Sequence, residues 1–348
     1  MRAMQRAAVL SLPLALVATS LTGCGIFGGS STFEDALEVV PGSVDQVTFV
    51  DRAAIAERFE VDDLETGASE GELEEWVEKS RDFPGFTALS QYVQVMQDAP
   101  FSDLDIQWEV TAFEGADRFT RAWKMRDDLD LDKVGDELVD DLGLEELDEA
   151  GDARSFTVGT TDIEPDRQYL FALSNLTIVP DEHLIIAATN IEEALDVVND
   201  DADSAVDSDT FEDLAESTDD VEVAALTRGE EACSLGARLS EEQLEASGIT
   251  DLGHAEQNGF FVHGDEGKAR SVLVFDDEQS AEEDAKAREE FLDDGNSPVS
   301  GVPYAEFGDW EIETDGDQVR IDIDYDEPGS AWRAITRGDT LGGICSPE

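Results

Sequence analysis

Positive charge is what this sequence has least of. Twenty-two Lys and Arg stand against 85 Asp and Glu, a formal net charge of −63 at pH 7. That balance excludes nucleic acid as a partner, because phosphate binding needs a cationic face. Histidine and cysteine are scarce as well, at three each, which leaves few ligands for a transition-metal site; no cofactor and no metal are expected. Apolar residues are not scarce. They make up 41% of the chain, enough to build cores, which separates it from a disordered acidic polymer. A length of 348 residues makes two domains the first expectation.

The first two dozen residues differ from the rest. They hold Arg2 and Arg6 and no acidic residue, then an apolar run over residues 7–19 broken by Ser11 and Pro13. That run is too short to span a bilayer as a helix, which takes about 20 residues. A charged start, a short apolar middle and small residues after it describe a secretory signal, and without an adjacent Arg pair the general secretion route is the expected one. The signal ends Leu21-Thr22-Gly23-Cys24. This resembles the lipobox of bacterial lipoproteins, in all four positions. The resemblance implies a diacylglyceryl group on the Cys24 sulfur and cleavage before it, with 1–23 as signal peptide. It also implies an extracytoplasmic protein held to the cell membrane through the anchor on Cys24. Two acyl chains give a stable anchor at about 0.8 kcal/mol per buried methylene. Residues 24–32, rich in Gly and Ser, read as a flexible tether.

With Cys24 taken by lipid, Cys233 and Cys345 remain, an even number in an oxidising compartment. A disulfide between them is the economical reading, contributing on the order of 4–5 kcal/mol for so long a loop; two buried free thiols are the alternative. The bridge would tie down the last residues, and Gly342 and Gly343 would give the tail freedom to reach its partner.

The body reads as α+β. Strands are expected at 44–50, 106–113, 155–158 and 168–173, and helices at 52–59, 72–79, 86–96, 115–126 and 131–142. A hairpin over 176–188 precedes a helix at 191–198. Residues 199–220 are acidic and rich in Ser and Asp; 201–220 reads as a linker between an α+β domain at 33–200 and another at 221–348. The second half repeats the order of the first: a strand from Val221, a strand at 271–275 with a helix at 280–292, and a hairpin turning at Asp315-Gly316-Asp317 before a helix at 331–336. That order points to a tandem duplication; two unrelated domains are the alternative. The body also resembles uncharacterised lipoproteins of high-GC Gram-positive bacteria, on the helix at 131–143 ending in Leu142-Gly143 and the strand at 155–158 after Gly151. That resemblance implies no known activity.

Sequence motifs for chemistry are weak. Gly67-Ala68-Ser69-Glu70-Gly71 has the nucleophile-elbow pattern, but Asp62, Asp63 and Glu65 precede it where a core strand is required, so it reads as a polar loop. His183, His254 and His263 have no motif partner and read as structural or surface residues. Asp128, Asp130 and Asp132 begin like a calcium loop, yet Lys133 stands where Gly is needed and Val139 where the bidentate Glu belongs. Asp322, Asp324 and Asp326 alternate with Ile321, Ile323 and Tyr325 as the solvated face of a strand, with Arg320 placed to pair with Asp322. The acidity itself fits either a high-salt habitat or the acidic exported proteins of some high-GC bacteria; the apolar fraction and the lipobox favour the second.

The leading expectation is therefore a non-catalytic envelope lipoprotein that binds an unknown envelope ligand or protein, or acts as a scaffold. The alternatives are the solute receptor of an importer and a hydrolase. The anchor is tested first: Cys24→Ala should release the protein from membranes or leave an unprocessed precursor. Partition of the wild type into the aqueous phase of a detergent extraction would count against the lipobox.

Overall fold

Twelve strands pair edge to edge in a computed structural model that describes residues 31–80, 87–147, 153–159, 165–207, 211–216, 221–233, 252–264, 267–297, 299–326 and 329–345. Cys24 lies outside the described residues. Helix α1 (Thr32–Leu37) is closed by a reciprocal capping box between Ser31 and Glu34. Strand β1 (Gln46–Asp51) follows, then α2 (Arg52–Arg58), whose N-terminal amides are met by the Asp51 carboxylate accepting from Ala54 N–H at 2.9 Å. After α3 (Glu70–Ser80) come the hairpin β2 (Ile106–Glu114) and β3 (Arg118–Met125), α4 (Leu131–Asp140), and the short β4 (Glu145–Glu146) and β5 (Arg154–Thr157). The hairpin β6 (Leu176–Val179) and β7 (Leu184–Ala188) leads into α5 (Ile191–Val198) and α6 (Glu212–Glu216). The second half runs β8 (Val221–Arg228), β9 (Gln257–His263), β10 (Lys268–Val274), α7 (Glu278–Asp294), the hairpin β11 (Gly308–Asp315) and β12 (Gln318–Tyr325), and α8 (Ser330–Arg337). The class is α+β, as the sequence implied.

The sheet order is β11-β12-β10-β9-β8-β1-β2-β3-β7-β6-β5-β4, antiparallel at every junction. Reading outward from the centre, the first half gives β1-β2-β3-β7-β6 and the second β8-β9-β10-β12-β11. The two halves thus repeat one strand order about the β1–β8 seam. In this order β10 corresponds to β3, which forms over Arg118–Met125 within residues 115–126, expected as a helix. There Phe119, Arg121 and Trp123 alternate with Thr120, Ala122 and Lys124, and pairing with both β2 and β7 overrides the local helical spacing. Residues 168–173, expected as a strand, fall largely in a 3₁₀ segment (Pro165–Phe171). Of the helix expected at 86–96, the described part holds only a 3₁₀ turn (Ser90–Tyr92).

Two separate domains are not what forms. Val47 pairs with Leu226 and Phe49 with Ala224 across the seam, and Ser31–Glu348 is one unit. Nor is 201–220 a free linker. Gly42 N–H donates to Asp203 O at 3.0 Å and Ala205 N–H to Val40 O at 2.9 Å. Ala205, Phe211 and Leu214 are buried in the same cluster as Phe49 and Phe33. The apolar residues in this acidic stretch make it a packed strap across the sheet; residues 208–210 and 217–220 lie outside the described residues.

One register row explains the layers. It runs Glu311–Asp322–Arg270–Phe261–Ala224–Phe49–Val110–Ala122–Ile186–Thr177–Ser155, strand by strand. Because side chains alternate between faces, this row lies on one face. Its apolar centre is covered by α1, α5 and α6. The opposite face is covered by α4 over Trp123 and Ile185 and by α7 and α8 over Ile321 and Ile323.

The seam predicts one cooperative unit. Phe49→Ala should cost about 3–5 kcal/mol, with amides of β2 and of β9 losing hydrogen-exchange protection together on denaturation. Separate transitions for the two halves would contradict a shared sheet.

Candidate functional site

The two halves differ where their last helices pack. In the first half α5 lies on the row's face, Ala194 joining Phe49 and Ile186. In the second half its counterpart α8 lies on the other face, where Ala331, Trp332 and Ala334 join Ile321 and Tyr325. The row's face over β10, β12 and β11 is left polar and open. Lys268 stands opposite Asp324, and Asp324 opposite Asp309; one step along, Arg270 stands opposite Asp322, and Asp322 opposite Glu311. With His263 these residues line an open cavity of about 580 Å³. Arg270 Nε donates to Asp322 Oδ1 at 2.6 Å. Asp322 therefore takes its cation from the neighbouring strand and not, as the sequence implied, from Arg320. Each row carries two carboxylates and one cation, so the face is net acidic.

Strand β11 ends the sheet. Its Asp309, Glu311, Glu313 and Asp315 alternate onto this face, and the turn to β12 is made at Gly316, whose φ of +62° suits glycine. Unpaired edges are open to pairing with other strands, and this edge strand carries four carboxylates on the open face.

The remaining candidates are accounted for locally. Ser69 Oγ and N–H both donate to Glu72, at 2.6 and 2.8 Å, opening α3 in exposed positions, so the elbow pattern is a helix start. Asp130 caps α4 by accepting from Lys133 N–H at 3.1 Å, and Asp128 pairs with Arg126 at 3.0 Å; the calcium-like spacing is spent on these contacts. His183 sits at the β6–β7 turn with φ +49°. His263 ends β9 beside the open face. His254 lies against the disulfide of Cys233 and Cys345, whose Cα atoms are 5.7 Å apart, with Nδ1 at 3.6 Å from Cys233 Sγ. Sequence spacing gave no hint of that last placement, since residue 254 reaches the pair only through the fold. Behind the open face, Tyr304 lines a cavity of about 60 Å³ with Tyr325 and Asp339. Burial pushes both phenols and the Asp339 carboxyl up from their ordinary values.

Among the described residues no helix is long and apolar enough to cross a membrane. No protein-family model matches the chain, and neither does any curated protein. The chain is similar to solved structures of TP0453. In crystal form I the TM-score is 0.43 at 10% identity, covering 87% of this chain and 96% of that one. In crystal form III it is 0.43 at 11% identity, covering 87% and 98%.

One buried titratable group lies apart from the open face. Glu109, on β2, is 7% exposed. Its Oε2 accepts from Ala88 N–H at 2.8 Å and Trp123 Nε1–H at 2.5 Å, and Arg121 is 3.7 Å from Oε1. Burial raises its pKa above the ordinary carboxylate value, outweighing Arg121 and the two N–H donors. A carboxyl raised on folding stabilises most below its unfolded pKa of 4.5 and loses that contribution as pH rises through the folded value. Glu109→Gln keeps an acceptor for both donors and removes the titration. The melting temperature of the variant relative to wild type should therefore rise from acid to neutral pH; a flat or falling difference would contradict the buried-acid assignment.

Proposed function

We propose that the chain is a lipid-anchored, extracytoplasmic protein of the cell envelope that binds a cationic partner without catalysing a reaction. The lipobox at Cys24 and the pairing of the other two cysteines support the location. The observation that carries the binding role is the exposed face of β10, β12 and β11, where Asp309, Glu311, Asp322 and Asp324 lie beside Lys268 and Arg270, and where β11 pairs on one side only among the described residues. A stretch of basic residues in extended form matches that edge in two ways. Its backbone can extend the sheet, and its charges meet alternating carboxylates. Lys268 and Arg270 give the site a local pattern that uniform acidity lacks. A solute receptor built on doubly wound parallel sheets closes a cleft between two of them; the described strands form one antiparallel sheet.

The test is competition between two equal charge changes. Binding of an arginine-rich peptide is compared for Asp309→Asn/Glu311→Gln/Asp324→Asn and for Glu282→Gln/Glu289→Gln/Asp293→Asn, the latter on exposed positions of α7. The first set should weaken binding at least about tenfold, equivalent to about 1.4 kcal/mol, and the second little. Equal losses would mean attraction to net charge alone and would overturn the assignment of the face.

A further inference from the structure

Three of the scarcest side chains in the sequence meet at one place. Cys233 Sγ, Cys345 Sγ and a ring nitrogen of His254 all lie within 4.8 Å of one another. We infer that, once the disulfide is reduced, Cys233, Cys345 and His254 form a binding site for a divalent d-block cation of borderline softness, zinc being the type.

The inference rests on what holds these residues apart from the sulfur–sulfur bond. The tail leading into Cys345 is fixed at two points. Asn258 Nδ2 donates to Gly342 O at 2.6 Å, and Arg288 Nη2 donates to Ile344 O at 3.1 Å. Arg288 is itself held by Asp284, with both side chains buried, and Ile344 packs with Leu252, two residues before His254. The Cys233 side is tied by Ala232 O, which accepts from Asn258 Nδ2 at 3.1 Å and Thr227 Oγ1 at 3.2 Å. Asn258 thus clamps both cysteine-bearing segments to β9. Gly342 is needed for that approach, since a Cβ there would overlap Ser271 Oγ.

The spacing suits a tetrahedral ion. Metal–sulfur and metal–nitrogen bonds of about 2.3 and 2.0 Å place a thiolate and an imidazole nitrogen about 3.5 Å apart. Cys233 Sγ and His254 Nδ1 are 3.6 Å apart. Two thiolates need about 3.8 Å, within reach of side-chain rotation when their Cα atoms are 5.7 Å apart. His254 is exposed, which leaves entry and a fourth position open to water. The reduction is balanced by a phosphine: it takes the disulfide to two thiols, is oxidised to its oxide, and water supplies the oxygen and both protons. Metal binding then releases the two thiol protons.

The full mature chain, reduced with a phosphine and held in excess Mg²⁺ to occupy surface carboxylates, is titrated with Co²⁺. A thiolate-to-cobalt charge-transfer band saturating at equimolar metal is expected in the reduced wild type and not in the oxidised protein. His254→Ala should weaken binding at least about tenfold, the low end of what even outer-sphere changes cost a metal site; Cys345→Ser should abolish equimolar saturation. The inference is overturned by no band in reduced wild type, by a band indifferent to His254→Ala, or by loss of the folded circular dichroism spectrum on reduction. The last outcome would mean that the tail is not held without the bridge.

Discussion

Pairing of β1 with β8 is the contact on which the rest of the fold depends. Among the described strands it is the pairing that joins the two repeats of the strand order, and it puts the seam at the middle of the sheet. Every residue of β8 before Arg228 is buried, so the seam is covered on both faces. Phe49 packs against Phe33 of α1 at 5.2 Å between ring centroids, and Phe33 meets Phe261 of the second half at 5.9 Å. The first helix therefore rests on strands of both halves. Opening the seam would expose aromatic rings on each side and two sheet edges at once, so neither half has a complete core without the other.

Net charge sets the second constraint. With 85 carboxylates, self-repulsion opposes compaction, and nearly all must reach water. Those that do not are given partners. Asp103 is fully buried; it accepts from Arg52 Nε at 3.0 Å and from Thr87 and Ser90 hydroxyls at 2.5 Å each. Asp284 holds Arg288 and accepts from Gly253 N–H at 2.7 Å. Removing one partner of such a pair strands a buried charge, which is costly even where the intact pair adds little. Several of the few cations are thus spent at structural points: Arg52 on Asp103, Arg288 on Asp284 and the tail carbonyl of Ile344, Arg58 on Glu222 of β8.

What the sequence made legible follows from range. Elements decided by local pattern were readable: the hairpin of β6 and β7, the helix α5, the hairpin of β11 and β12 with its glycine turn. So was the Cys233–Cys345 pair, because only counting was needed. The misread elements were decided at long range. Residues 118–125 have a spacing that reads as helix, and their strand identity is fixed by pairing with β2 on one side and β7 on the other. Residues 201–220 read as linker by composition, yet among the described ones Ala205, Phe211 and Leu214 are buried with α1 and the sheet. The β1–β8 pairing leaves no local trace at all, which is why two domains were expected. Asp322 and Asp324 were legible as a solvated face; that Arg270 and Lys268 complete it required knowing which strand lies alongside.

The repeat also explains why the open face occurs once. Strand order is the same in both halves, so any difference in surface must come from what is laid over the strands. In the first half the row continues outward through Ala122, Ile186 and Thr177, with the Thr177 hydroxyl buried and hydrogen-bonded to that of Ser155 at 2.9 Å. In the second half the equivalent outward positions are Arg270, Asp322 and Glu311. A helix laid there would bury a cation and two carboxylates, at a cost that no available apolar contact offsets. With α8 instead on the opposite face over Ile321 and Tyr325, the charged rows keep their water. The same substitution pattern that forbids a covering helix leaves an edge strand and an acidic, structured face exposed together, on one half only.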